Sequence, residues 1–305
     1  MSPRGSWHGL AEVTASRRRF SQPVRWVGLQ LLLVLGTLAA IEMILVIVHP
    51  RYLQIIPWDG VHISYDPELG WAPIPGAAFE DDKMRPHHVV HNSLGLRDVE
   101  FVRGSKPTIL VLGDSLVYGT NVQAEERFTD LLRRQLPEFS IVNAGIPGYG
   151  TDQEYLLMRR LWNEIAPKVV VLTVCLENDR RDNTRNIRYD TYKPYLKDSA
   201  DGTAQFSAPP VPKSRSLYYR ESWLAQHLYL ARLAISAYVE LKYPRIEIPD
   251  PTERLVGMMR DFVEAKGATL VVGLEYRDEP LEAYLRREQI TYTSFEGAPD
   301  FAAEP

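Results

Sequence analysis

The chain has 305 residues, long enough for one large domain or two small ones. Hydrophobic residues make up 45 % and charged residues 24 %, which excludes general disorder. A formal net charge of −4 gives no concentrated basic face, so no nucleic-acid partner is expected, and one cysteine, Cys175, excludes an internal disulfide framework.

Residues 1–25 are basic and rich in Ser, Gly and Arg, the composition of a flexible cytoplasmic tail. Residues 26–49 are expected to form a transmembrane anchor. From Val27 to Val48 only Gln30, Thr37 and Glu42 interrupt the apolar run, and at about 1.5 Å per residue it crosses a hydrocarbon core of about 30 Å. Arg4, Arg17, Arg18, Arg19 and Arg25 precede the run, whereas Arg51 is the sole basic residue between it and Lys83. The positive-inside rule keeps the N-terminus in the cytoplasm and puts the main domain outside. A cleaved signal peptide competes with this reading, but its apolar core would be shorter, and His49-Pro50-Arg51-Tyr52 lacks a small-residue cleavage site. Glu42 is costly in lipid and is expected to reach the outer interface or a partner helix.

Residues 50–106, dense in Pro and Gly, read as an irregular lead-in packed on the main domain, which runs from 107 to 305. There strands and helices alternate. Ile109–Leu112 closes on Gly113; a helix covers about 124–136; Ser140–Asn143 is a second strand. A helix follows at 152–165 with Thr151 or Asp152 as N-cap, then a strand from Lys168 to Cys175. Cys175 reads as a small buried hydrophobe. Further on come a helix at 253–266 capped by Gly267, a strand at 270–274, a short helix at 281–287 and a weak strand at 290–293. Alternation of this kind calls for a parallel sheet covered on both faces, an α/β fold.

The insertion at 184–252 breaks the rhythm. It holds Pro209-Pro210-Val211-Pro212, several tyrosines and a helix from about Ser222 to Lys242, and is expected to be a small lid or side-domain. Trp223, Tyr229 and Tyr238 on that helix read as ordinary packing, with a lid over an acyl or sugar group as the functional alternative.

Ligands of an open parallel sheet bind beyond the carboxyl ends of its strands. Three segments fall there: Gly113-Asp114-Ser115-Leu116, Asn143-Ala144-Gly145-Ile146-Pro147-Gly148-Tyr149-Gly150, and Glu177-Asn178-Asp179. Each alone has a bland reading as a turn or cap. In this order they bring a hydroxyl, a loop whose glycines let backbone approach a substrate oxygen, and a side-chain amide to one rim. That is what stabilising the oxyanion of an acyl transfer requires.

These segments resemble the first three blocks of the SGNH (GDSL) hydrolase superfamily. Asn92-Ser93-Leu94-Gly95-Leu96-Arg97-Asp98 and Tyr192-Lys193-Pro194 extend the resemblance to a large bacterial branch, over roughly residues 60–300. It implies a three-layer α/β/α sandwich with a flavodoxin-like parallel sheet. By position, Ser115 would be the nucleophile and a donor through its N–H, Gly148 N–H the second donor and the Asn178 amide the third. The implied substrate is an acyl ester or acylated glycan, the implied setting a bacterial inner membrane facing the periplasm, and no cofactor is expected. The family's general base lies in an Asp-x-x-His block after the fifth strand. Here the sequence from Ser294 to Pro305 holds no histidine, and the last one is His227. Truncation of a longer protein, a natural pseudoenzyme that binds without hydrolysing, and a histidine from elsewhere remain three open accounts; O-acyl transfer to a sugar hydroxyl is a close variant. His87, His88 and His91 lack a carboxylate at helical spacing, so they read as a solvated loop and no metal is expected.

Overall fold

The computed structural model describes residues 21–56, 62–81, 86–104, 106–198 and 203–294. Most of the expected tail and the segment from 295 to 305 lie outside the described residues. The chain enters α1 (Ser21–Val48), whose stretch Val24–Val48 is long and apolar enough to cross a membrane and is not buried in the protein.

The lead-in is not irregular throughout. It contains two antiparallel hairpins, β1 (Ile63–Asp66) with β2 (Gly70–Pro73), and β3 (Ala78–Asp81) with β4 (His87–Val90). The first turn is closed by Asp66 Oδ1, which accepts from the N–H groups of Glu68 at 2.9 Å and Leu69 at 2.8 Å. Such Asx closure lets a polar, Pro- and Gly-rich sequence carry short strands.

The main domain then runs β5 (Thr108–Gly113), α2 (Ser115–Tyr118), α3 (Phe128–Gln135), β6 (Ser140–Gly145), α4 (Thr151–Ile165), β7 (Val169–Val174) and α5 (Asp179–Asn183). The insertion supplies the small hairpins β8 (Ile187–Arg188) with β9 (Thr191–Tyr192) and β10 (Leu196–Asp198) with β11 (Ala204–Phe206). It continues with α6 (Arg215–Glu221), α7 (Trp223–His227) and α8 (Tyr229–Lys242); α9 (Thr252–Ala265), β12 (Thr269–Leu274), α10 (Glu279–Arg287) and β13 (Thr291–Ser294) complete the described chain.

Five strands make one sheet in the order β6–β5–β7–β12–β13, every neighbouring pair parallel. Steps from β6 to β7, β12 and β13 across the sheet all run one way. Right-handed crossovers therefore put α4, α9 and α10 on one face, and the opposite step from β5 to β6 puts α2 and α3 on the other. The first face is fully buried: Leu110, Leu112, Val142, Val170, Leu172 and Val272 pack with Leu157, Met259 and Leu281. On the second face Ile109, Val111 and Ile141 pack with Val117 and Leu132, while Val169 and Val171 are only half-buried. Each fully buried aliphatic side chain contributes about 1.5–3 kcal/mol, so the first face dominates the stability of the domain. The result is a three-layer α/β/α domain with flavodoxin-like strand order.

Local differences from the sequence expectation have visible causes. The stretch at 124–136 is a 3-10 turn at Ala124–Glu126 followed by α3, because Arg127 is extended and turns its guanidinium inward to Asp130 and the Arg97 carbonyl. The N-cap of α4 is Gly150, not Thr151 or Asp152; both side chains are buried, and Asp152 pairs with buried Lys193. The single helix expected at 222–242 is split into α7 and α8 by extended backbone at Leu228, with Ser222 Oγ capping α7. Trp223 and Tyr238 are not core packing: they are 70 % and 50 % exposed.

Candidate active site

The candidate residues stand where β5, β6 and β7 end. After Gly113 the Asp114 carboxylate caps α2, accepting from Leu116 N–H at 2.9 Å, and Ser115 opens that helix with its side chain half-buried. Two groups clamp the four-residue helix. Buried Arg97 donates to the carbonyls of Tyr118 at 3.2 Å and Val122 at 2.8 Å and to that of Gly119, while Asn143 Nδ2 donates to Val117 at 2.7 Å. Asp98, next to Arg97, accepts from Asn143 N–H at 2.8 Å and from Arg133 at 2.6 Å. The segment Asn92–Asp98 thus fixes the Ser115 loop from outside the sheet, a job for guanidinium and carboxylate groups that saturate buried carbonyl and N–H groups.

Asn178 comes from the next strand over, just before α5. Its Nδ2 donates to Asp114 Oδ2 at 3.3 Å and to Cys175 Sγ at 3.4 Å, while its Oδ1 accepts from Arg181 and Arg188 at 3.3 Å each. The two guanidinium groups orient the amide, so the NH₂ end faces the serine side. Ser115 Oγ lies 3.5 Å from that same Asp114 Oδ2. Ser115 and Asn178 are therefore brought together.

Gly148 is buried in the loop after β6 at φ +78°, a conformation that favours glycine. A Cβ there would lie 2.6 Å from the Tyr189 ring. The loop is held by Ile146 N–H on the Gly113 carbonyl at 3.0 Å and by Tyr149 Oη on the Trp71 carbonyl at 2.6 Å. Ser115, Ile146, Pro147 and Tyr189 line a single cavity of about 410 Å³, walled also by Trp71, Phe79, His91 and Tyr118. Gly148 itself is not among the residues that line this cavity, although its neighbours Ile146 and Pro147 are.

Several participants went unread in the sequence. His87 and His91 are buried rather than solvated; His88 alone of the three is exposed, against Glu80 at 2.7 Å. The alternation of buried 87, 89 and 91 with exposed 88 and 90 is a strand period, the signal that could have shown it. His91 Nδ1 faces the Ile74 carbonyl at 3.1 Å, so that nitrogen carries the proton and Nε2 accepts from Tyr118 Oη at 2.9 Å. Burial lowers its pKa and keeps the ring neutral. Beneath the rim, Glu154 and Asp179 are wholly buried; burial, then the charges of Asp179 and Asp114, push the Glu154 carboxyl well above the usual range, and burial, then the charge of Asp114, does the same to Asp179. Asp179 Oδ2 accepts from Cys175 N–H at 2.9 Å, whereas neither Glu154 oxygen has a partner among the described residues. Among those residues no group of three or more His, Cys, Asp or Glu side chains is arranged to hold a metal ion.

No protein-family model and no curated protein matches the chain. The solved structures it is similar to are SGNH/GDSL-family esterases and lipolytic proteins. TesA is 15 % identical, with 61 % of this chain and 76 % of that one covered, at a TM-score of 0.32. AlinE4, an SGNH-hydrolase family esterase, is 10 % identical over 63 % and 77 % of the two chains, at 0.33. A lipolytic protein of the G-D-S-L family from Desulfitobacterium hafniense DCB-2 is 10 % identical over 62 % and 78 %, at 0.34. At such distances the sheet order and crossovers carry the fold class by themselves.

Proposed function

We propose that this chain is an SGNH-type serine esterase tethered by α1 to the outer face of a membrane, acting on acyl esters of lipids or cell-surface glycans. The observation that carries the reading is the meeting of Ser115 Oγ and Asn178 Nδ2 at Asp114 Oδ2, 3.5 and 3.3 Å away, beside an open cavity. Ser115 Oγ attacks the carbonyl carbon and gives up its proton to a base. The carbonyl electron pair moves onto oxygen, held by the N–H groups of Ser115 and Gly148 and by the Asn178 amide. Collapse expels the alcohol, which takes the proton, and water repeats the sequence to release the acid. The base is the part this sequence does not supply by motif; of its own imidazoles, His62 and His91 line the cavity with Ser115.

A fluorophosphonate probe tests the reading on the full chain in membranes, because Ser115 would displace fluoride and retain the phosphonyl group. Labelling that disappears in Ser115→Ala supports an esterase or, when a sugar acceptor captures the acyl group, an O-acyltransferase. A second reading, binding of an acylated glycan without hydrolysis, is favoured by one observation. Among the described residues, Asp114 is the only hydrogen-bond partner of Ser115 Oγ, and no imidazole is hydrogen-bonded to it. A folded protein that binds glycan but takes no label would select that reading.

A further inference from the structure

Glu42, the one acidic residue in the apolar run of α1, caps α8. Its Oε1 accepts from Tyr229 N–H and its Oε2 from Leu230 N–H, both at 2.8 Å. Tyr229 Oη meets His49 Nδ1 at 2.5 Å, and Leu45 packs with Tyr229, Ala231 and Ile235 around buried Leu53, Tyr219 and Ala225. The start of α8 is thereby fixed beside α1 at the level of Glu42. Val24–Val48 has 25 residues, about 37 Å of helix against a hydrocarbon core of about 30 Å. Glu42 lies about 9 Å short of Val48 along the helix, so a centred span puts it about 5 Å inside the outer hydrocarbon boundary.

The surface at that level is apolar. On α8, Leu230, Leu233, Ala234, Ala237, Tyr238 and Leu241 recur at three- and four-residue spacing, the stripe that ordinarily packs into a core. Here Ser236 and Val239 are the buried residues, and the stripe is largely uncovered, with Leu241 87 % exposed. At the α7–α8 corner Trp223 and Leu224 are 70 % and 53 % exposed, and Leu228 is exposed beside them. We propose that this corner is seated in the outer leaflet, with Trp223, Leu224 and Leu228 entering the boundary between headgroups and acyl chains beside α1. The domain is then held at a fixed height and tilt on the bilayer instead of swinging on a tether. A lipid surface fits better than a protein partner because the corner shares its level with a residue inside the span. Trp223 suits an interface that is apolar on one side and wet on the other, and Lys242, 2.8 Å from Tyr238 Oη, suits the headgroup layer.

The proposal rests on reading α1 as a membrane span, and one experiment separates the two. The full chain, with Cys175→Ala, is reconstituted in phosphatidylethanolamine–phosphatidylglycerol vesicles. A nitroxide is attached in turn to Leu35→Cys, Leu224→Cys and Glu138→Cys, the last exposed in the loop between α3 and β6. Power saturation by oxygen is compared with saturation by a water-soluble nickel complex. The expected result is a deep label at 35 and an oxygen-to-nickel accessibility ratio at 224 several-fold above that at 138. A deep label at 35 with 224 behaving like 138 overturns the seated corner and leaves the span standing. A water-exposed label at 35 removes the span and the proposal together. Spin–spin broadening at 224 with loss of oxygen access assigns the corner to a second copy and also overturns it.

Discussion

The Asn178 amide donates to the Asp114 carboxylate at 3.3 Å, on the oxygen that stands 3.5 Å from the Ser115 hydroxyl. Arg181 and Arg188 hold the other end of that amide, so its NH₂ group is turned toward Asp114, the residue that also bonds the Ser115 hydroxyl. A donor fixed in advance costs no reorganisation when charge develops on the substrate oxygen. Asn178→Ala should therefore slow acylation about 10²–10³-fold with little change in KM. The rate of fluorophosphonate labelling measures this directly, and a variant that labels at the wild-type rate would remove Asn178 from the oxyanion site.

Gly148 and Tyr189 form a second pair whose coupling is measurable. An Ala at 148 adds a Cβ 2.6 Å from the Tyr189 ring and must hold φ at +78°, so it meets two separate penalties. The backbone penalty is about 1–2 kcal/mol, and the steric one is relieved if the ring is removed. Gly148→Ala should lower stability, and Gly148→Ala/Tyr189→Ala should recover part of the loss. Strictly additive losses in denaturant titrations would mean that the ring does not pack over the glycine.

Much of this was legible in the sequence because it depends on local pattern. Short unbroken apolar runs such as Ile109–Leu112, closed by glycine, suit strands buried on both faces, and glycine-rich loops at strand ends mark the rim. What stayed hidden depends on partners distant in sequence. Nothing local says that Arg97 saturates the carbonyls of Tyr118 and Val122, or that Lys193 neutralises Asp152 in the core. Trp223 and Tyr238 misled for the opposite reason, since helical spacing of apolar residues reports an amphipathic face but not what covers it. His91 was misread because Pro and Gly nearby outweighed the period-two alternation of β4.

Glu154 makes stability depend on pH in an unusual direction. The unfolded chain ionises Glu154 and Asp179 near their ordinary values of 4.5 and 3.8, whereas burial holds the folded carboxyl groups protonated well above these. Across that window the native state binds protons that the unfolded state has lost, so stability is greatest below the ordinary values and falls as pH rises. Glu154→Met keeps the volume and removes two oxygens without partners among the described residues. It should stabilise the domain by about 1–3 kcal/mol at neutral pH, with a gain that shrinks toward about pH 5. Thermal melts across that range check this, and a gain independent of pH would show that Glu154 is ionised in the folded state.

The contact between α1 and α8 is likewise open to a local measurement. Glu42 offers one oxygen to each of the first two N–H groups of α8, groups that no turn of the helix itself can satisfy. Its charge also faces the positive end of the helix dipole. Glu42→Ala removes both acceptors and should cost the start of α8 about 0.5–2 kcal/mol, while Glu42→Gln keeps one oxygen and should cost less. Because each 1.4 kcal/mol is a factor of about ten, amide hydrogen exchange at Tyr229–Arg232 in nanodiscs should quicken about 2- to 30-fold in Glu42→Ala and by a smaller factor in Glu42→Gln. Exchange in α9, which packs on the far sheet layer with α4, should not change. If both variants protect the first turn of α8 as well as the wild type does, the cap does not form in lipid, and α1 and α8 are joined through Leu45 with its apolar neighbours and the Tyr229–His49 contact.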